Sequence, residues 1–250
     1  MPLPERWGSF IMKYIYGPVQ SRRLGSSLGV SLTPHKTCQF DCVYCQIGAT
    51  TAKTGVRASY TDTQEILSEV RAWLDINPEQ AKALSFVTLS GSGEPTLHSD
   101  IAVIISKIKA MAAVPVAVIT NSSLLGDPAV RQELLQADLI VPSLDAVIPE
   151  VFAKIDRPLA GIKIEDIIEG LVNLRKEYRG RIWLEVMLVK GVNDDIRHIR
   201  KLAEVIERIN PDAIQLNSPV RSTTVKNISS VDEGKLKQIM ELLGEKARII

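Results

Sequence analysis

The sequence predicts an α/β fold on a parallel sheet: an open partial barrel of six strand–helix units, (β/α)6, or a doubly wound sheet. Two observations carry this. Short β-branched runs, the pattern of strands covered on both faces, recur six times: Leu28–Leu32, Leu84–Leu89, Pro115–Ile119, Asp138–Val141, Ile182–Val189 and Ala213–Leu216. Between them lie segments whose apolar residues repeat at helical spacing. That alternation makes βαβ units with right-handed crossovers, and six units are too few for the closed eight-stranded barrel.

The helical segments follow in order. In Thr61–Asp75 the residues Ile66, Leu67, Val70 and Leu74 share a face, and Thr61 with Gln64 matches a capping box. Asp127 and Pro128 read as an N-cap and first helical residue. Ile167, Ile168, Leu171, Leu174 and Tyr178 make one further apolar stripe; Ile196, Ile199, Leu202, Ile206 and Ile209 make another. Weaker helices are expected over Ile101–Met111 and Glu233–Leu243. A single domain is expected over 1–250, with an N-terminal extension (1–26), a barrel core (27–220) and a C-terminal helical segment (221–250).

Composition narrows the class. Of 250 residues, 45% are hydrophobic and 24% charged, as in water-soluble globular chains. No apolar run reaches the ~18 residues a membrane helix needs. Met1–Phe10 is short, mixed and carries Pro2 and Pro4, unlike a secretory leader. A cytoplasmic, non-membrane protein is expected. Residues 1–60 hold seven basic side chains (Arg6, Lys13, Arg22, Arg23, Lys36, Lys53, Arg57) against Glu5 and Asp41, while the whole chain has a net charge of only +1. The basic region is suited to an anionic substrate, to offsetting the charge of thiolate ligands, or simply to a solvated face. It is too weakly basic to mark a nucleic-acid binder.

The three cysteines fall within eight residues, Cys38-Gln-Phe-Asp-Cys42-Val-Tyr-Cys45, just after the first strand. An odd, clustered set is no disulfide framework. Thiolates suit iron–sulfur clusters or zinc. A four-iron cube takes one thiolate per iron, so three cysteines leave one iron open to an external chelate. A closed zinc site wants four ligands, for which His35 is the available fourth, but zinc cysteines are usually paired far apart in sequence.

CxxxCxxC, with Tyr44 before the last cysteine, resembles the signature of the radical S-adenosylmethionine (SAM) superfamily. The resemblance implies an open partial barrel, a 4Fe–4S cluster on Cys38, Cys42 and Cys45, and SAM chelated to the open iron. It also implies reductive cleavage to a 5′-deoxyadenosyl radical and hydrogen abstraction from substrate, with an electron donor such as flavodoxin or ferredoxin. Tyr44 stands where the family contacts adenine. Ser90-Gly91-Ser92-Gly93-Glu94-Pro95 ends the second strand and resembles the segment that binds the SAM amino group, with Ser92 replacing a more usual glycine. Asn121 after the third strand, and Ser143 and Asp145 after the fourth, fall where the family meets the methionyl and ribose parts. Glu185, a charge in an apolar strand, either faces the barrel interior or pairs on an exposed face; Gln215 and Asn217 on the last strand face the same choice, in a neighbourhood resembling the adenine-binding end.

Several longer stretches resemble the stand-alone iron–sulfur oxidoreductases grouped with wyosine-synthase-like proteins: Tyr14 to Val30 running into Lys36-Thr-Cys38, Ser143 to Ala146 with Ile155 to Pro158, Met187 to Asp194, and Gln215 to Arg221. True wyosine synthases need further cysteines for a second cluster, and none lies outside Cys38–Cys45. Neither Lys36 nor Lys190 takes the pyruvate-reactive role. Arg22 and Arg23 are suited to a substrate phosphate or carboxylate, or to surface ion pairs. The substrate stays open between a small molecule, a protein and tRNA. The alternatives are a glycyl-radical activating enzyme, a tRNA-modifying wyosine-type enzyme, a non-catalytic metal-binding module and a weak RNA binder.

Overall fold

The computed structural model describes residues 6–7, 10–221 and 223–250. Met1–Glu5 of the N-terminal stretch, with Pro2 and Pro4, lie outside the described residues. The main sheet has eight strands: β1 (Ile15–Ser21), β2 (Gly25–Val30), β3 (Phe86–Leu89), β4 (Val116–Thr120), β5 (Leu139–Pro142), β6 (Arg181–Met187), β7 (Ala213–Asn217) and β8 (Ala247–Ile249). Each strand lies beside its neighbour in sequence. β1 and β2 are antiparallel and every later pair is parallel.

The six expected strands are therefore β2–β7, the parallel core of an open (β/α)6 sheet. The segments expected as an extension and a helical tail each add an edge strand, β1 and β8, and the boundary expected after residue 26 falls inside β2. Among the described residues, seven helices of at least seven residues connect the strands, α1 (Thr63–Ile76), α2 (Ile101–Met111), α3 (Pro128–Leu134), α4 (Pro149–Ile155), α5 (Ile164–Glu177), α6 (Ile196–Ile209) and α7 (Glu233–Leu243), with a further five-residue helix over Pro78–Lys82. The cap of α1 is Asp62, whose carboxylate accepts from the N–H groups of Gln64 and Glu65. Thr61 instead donates its hydroxyl to the Leu32 carbonyl at 2.8 Å, so it ties the helix entry to the end of β2. The cap at Asp127 forms as expected, accepting from Ala129 N.

Side chains alternate along each strand, and the two faces differ in kind. One row (Leu28 and Val30, Val87 and Leu89, Val116 and Val118, Leu184 and Val186, Ile214 and Leu216) is fully or almost fully buried in one large core with the helix stripes. The opposite row begins with an apolar plug of Leu24, Phe86, Ala117, Leu139 and Val141, against which Ile119 and Trp183 pack. The plug gives way to polar residues: Ser27, Thr88, Glu185, Gln215 and Asn217, all buried. This inner face is the barrel lumen.

The open side of the sheet is bridged by the β1–β2 turn. Arg23 forms an ion pair with Glu185 of β6, the Arg23 carbonyl accepts from Gln215 of β7 at 3.4 Å, and Arg22 donates to Asn217 of β7 at 3.1 Å. Glu185, Gln215 and Asn217 thus all face the interior. Among the described residues, no helix is long and apolar enough to cross a membrane.

Candidate active site

The cysteine loop leaves β2 and is pinned on two sides before any ligand is considered. On one side it joins the turn after β3: Lys36 N donates to Ser92 O at 2.6 Å, and Glu94 N donates to Thr37 O at 3.0 Å. A Cβ on Gly93 would overlap the Thr37 carbonyl and the Thr33 hydroxyl, so only glycine allows this approach. Gly91 supplies a positive φ of 115°. On the other side the loop joins the end of α4, where Asp41 N donates to Asp156 O at 3.0 Å and Val43 N to Ile155 O at 2.9 Å.

Each thiol then meets a different partner. Cys38 Sγ accepts from Phe40 N at 3.4 Å and from Asn121 Nδ2 at 3.3 Å. Cys42 Sγ donates to Asp156 Oδ1 at 3.3 Å. Cys45 Sγ accepts from Lys36 Nζ at 3.0 Å. Lys36 is buried and holds a φ of 58°, a conformation uncommon outside glycine. All three cysteines are free and half-buried. Burial pushes the Cys38 thiol up to about 11, with the Glu94 charge adding to it. Burial also drives Cys42 well above the ordinary thiol range. Soft ligands must be deprotonated to bind metal, so loading this loop releases protons.

Glu94 is buried and burial raises its pKa, against four donors that favour its ionised form. Oε1 accepts from Thr96 N at 3.1 Å, Thr96 Oγ1 at 2.6 Å and Thr120 Oγ1 at 2.7 Å. Among the described residues Oε2 accepts only from Asn121 N, at 2.8 Å, and so keeps room for another donor. Asn121 is the hub: its side chain reaches Cys38 and, at 3.4 Å, Gln39 Oε1, and its Oδ1 accepts from Ser123 N at 2.9 Å. Beside it, Gln39 Nε2 and Ser123 Oγ are buried with no hydrogen-bond partner among the described residues.

Tyr44 donates its hydroxyl to Asp145 Oδ2, and Asp145 Oδ1 accepts from Met187 N at 2.7 Å. Burial, then the neighbouring Asp156, holds Asp145 well above the usual carboxylate range; burial pushes Asp156 up to about 7. Tyr44, Asn121, Ser143, Asp145 and Asp156 surround a gap of only about 10 Å³. The lumen holds the larger space, about 330 Å³, lined by Tyr16, Gln20, Arg22, Arg23, Ser90, Asn217 and Arg221 among others.

The structure therefore brings Cys38, Cys42, Cys45, Tyr44, Glu94, Asn121, Ser143 and Asp145 together at the C-terminal ends of β2–β5. Gly91, Ser92 and Gly93 serve as backbone supports. Glu185, Gln215 and Asn217 form a separate lumen group tied to the arginines. Lys36, Asp156 and Asn193 were not assigned from sequence. Asn193 donates to Asp145 O at 2.8 Å and Met187 O at 2.7 Å while accepting from Val189 N, which fixes the Asp145 turn. All three lie in stretches quoted for the family resemblance, Lys36–Cys38, Ile155–Pro158 and Met187–Asp194, which was the readable signal; their partners are set by tertiary contacts.

Among the described residues no three His, Cys, Asp or Glu side chains converge as one metal ion requires, which departs from the closed zinc reading. A four-iron cube asks for something else, since each thiolate bonds its own iron. Three separately supported thiols, one facing a lysine, with orphaned buried polar atoms alongside, fit such a group.

Comparisons agree with the geometry. The profile of the Radical SAM superfamily matches residues 32–203. A UPF0026 protein of Methanocaldococcus jannaschii is 33% identical over 94% of this chain and 72% of its own length. A Brachyspira hyodysenteriae protein named GTPase Obg is 37% identical over 90% of this chain, which spans only 33% of that relative. A structure of TYW1 with a lysine–pyruvate adduct shares the fold, with a TM-score of 0.64 at 21% identity, over 90% of this chain and 76% of its own. The chain belongs to the radical SAM superfamily, whose cofactors are a 4Fe–4S cluster and S-adenosylmethionine, and within it to the UPF0026 proteins.

Proposed function

We propose that this protein is a radical SAM enzyme in which Cys38, Cys42 and Cys45 hold the cluster and the barrel lumen receives the substrate. The observation that carries the reading is the convergence of three supported thiols, Glu94 and Asn121 at one end of a parallel sheet. When bound, the cluster and SAM supply a 5′-deoxyadenosyl radical able to abstract hydrogen.

The chain's own residues set the conditions for that chemistry. Lys36 offsets negative charge at Cys45 and Asn121 orients Cys38. The free lone pair of Glu94 Oε2 is placed to accept from an ammonium group. Tyr44 and Asp145, once parted, offer a ring face and a carboxyl to a nucleoside; Ser143 lies beside them. Glu185, with Gln215 and Asn217, forms a polar layer inside the lumen. The apolar plug below closes the lumen to water. A low-potential donor such as flavodoxin or ferredoxin and a cytoplasmic address belong to the same proposal.

Anaerobic reconstitution with iron and sulfide, then reduction with SAM present, tests it. The expected result is release of 5′-deoxyadenosine by the wild type and none by Cys42→Ala. Equal release by the two proteins contradicts the assignment of the cysteines.

A further inference from the structure

The lumen cavity is chemically distinct from the cysteine site. Of the residues expected to face SAM, Asn217 lines it, as does Ser90 at the start of the Ser90–Pro95 segment; the cysteines, Glu94, Asn121 and Asp145 do not. Its volume of about 330 Å³ lies at the lower end of small-molecule sites, enough for a metabolite and too little for a folded partner. Three guanidinium groups line it, and they are not equivalent. Arg23 is engaged by Glu185. Arg22 and Arg221 have no Asp or Glu side-chain carboxylate within 4.0 Å among the described residues.

Arg22 gives one N–H to Asn217 Oδ1 at 3.1 Å and one to the main-chain oxygen of Ile250, the last residue of the sequence, at 3.0 Å. Arg221 has a single long contact, 3.4 Å to Gln46 Oε1. Each guanidinium carries five N–H donors in a planar fork, so these two exposed arginines at the cavity rim keep donors without a protein acceptor among the described residues. Glu185 is the one acid of the neighbouring polar layer, and it is neutralised by Arg23. The remaining lining supplies neutral donors and acceptors: Gln20, Gln46 and the hydroxyls of Tyr16 and Ser90, which bond each other at 2.6 Å. Tyr16 reaches this position by lying across Gly29, where any Cβ would overlap its ring. A cavity with two guanidinium forks that meet no Asp or Glu side chain among the described residues is suited to an oxyanion held in bidentate fashion.

We propose that this cavity binds a small molecule bearing a carboxylate or phosphate, held by Arg22 and Arg221. This deepens the reading of the chain as a radical SAM enzyme, since the occupant is then its substrate. Burial of the anion between the β1–β2 turn and the segment after β7 also joins the two sides of the open sheet through the ligand.

Calorimetric titration of the cluster-loaded protein with SAM present tests it, using inorganic pyrophosphate in one arm and malonate in the other. Saturable binding of at least one probe is expected, and the tighter arm names the class. Arg221→Gln, whose only contact is at the mouth, should weaken that binding about tenfold or more, as should Arg22→Gln. Arg197→Gln, on an exposed helix surface, should bind like the wild type. Binding of neither probe, or equal affinity in wild type and Arg221→Gln, overturns the proposal. Release of 5′-deoxyadenosine by the wild type without any probe separates the two readings: it survives if only the anion site is wrong, and is missing if the broader reading is wrong.

Discussion

The ammonium of Lys36 lies 3.0 Å from the sulfur of Cys45, and both belong to a loop that Ser92 and Asp156 pin from opposite sides. A buried cation on a ligand sulfur withdraws charge from it, and such hydrogen bonds tune cluster potential. Lys36→Met removes a charge-assisted hydrogen bond of about 2 kcal/mol. The cluster potential should become more negative in a redox titration followed by absorbance. An unchanged potential contradicts a tuning role for this lysine.

Gly93 has no space for a side chain. Gly93→Ala should destabilise the protein by about 1–3 kcal/mol through overpacking, and should lower iron uptake because the displaced atoms belong to Thr33 and Thr37. Gly126→Ala is the matched control, since a Cβ there meets only Asp166 O at an ordinary 3.6 Å. Urea denaturation and iron assay of the two variants check this; equal midpoints would remove the steric argument.

The Arg23–Glu185 pair closes the open side of the sheet. Glu185 is 6% exposed and Arg23 31%, so water relieves part of the cost of breaking it. Glu185→Gln should cost about 1–3 kcal/mol, below the cost of breaking a fully buried pair. Denaturation of the variant measures it. A loss below half a kcal/mol, about the size of an ordinary surface change, contradicts the closure role.

His198 on α6 predicts a pH effect remote from the cysteines. Val147 N donates to Nε2 at 3.2 Å, so Nδ1 carries the hydrogen given to Asn193 O at 2.9 Å. Burial holds the imidazole below its ordinary 6.5. As pH falls through about 6.5 the unfolded chain takes up a proton that the folded chain refuses. Stability tied to His198 is therefore present above that pH and lost below it. Urea midpoints at pH 7.5 and pH 5 should differ more for the wild type than for His198→Gln; parallel losses contradict the assignment.

Much of this architecture was legible because local and global signals coincide. Leu84–Leu89 and Ile182–Val189 read as strands since both their faces are covered, and the stripe of α6 is uninterrupted. β1 was not legible: Gly17 and Pro18 interrupt it, and its pairing with β2 follows a register shift between Tyr16 and Val19. β8 is three residues long. Helix α4 is a seven-residue segment without a full apolar stripe. At the site, Cys38–Cys45 could be named from their CxxxCxxC spacing, and Glu94, Asn121 and Asp145 because they follow strand ends. Asp156 could not, because Cys42 meets it across 114 residues of chain. The choice left open for Glu185 was decided by Arg23, a contact over 162 residues.

Electron paramagnetic resonance of the anaerobically reconstituted, reduced protein tests the central claim most directly. With three cysteine anchors and one open iron, the protein should hold about four irons and four sulfides and give a signal that changes shape when SAM is added. A chain that retains no iron, or a cluster signal indifferent to SAM, contradicts the account.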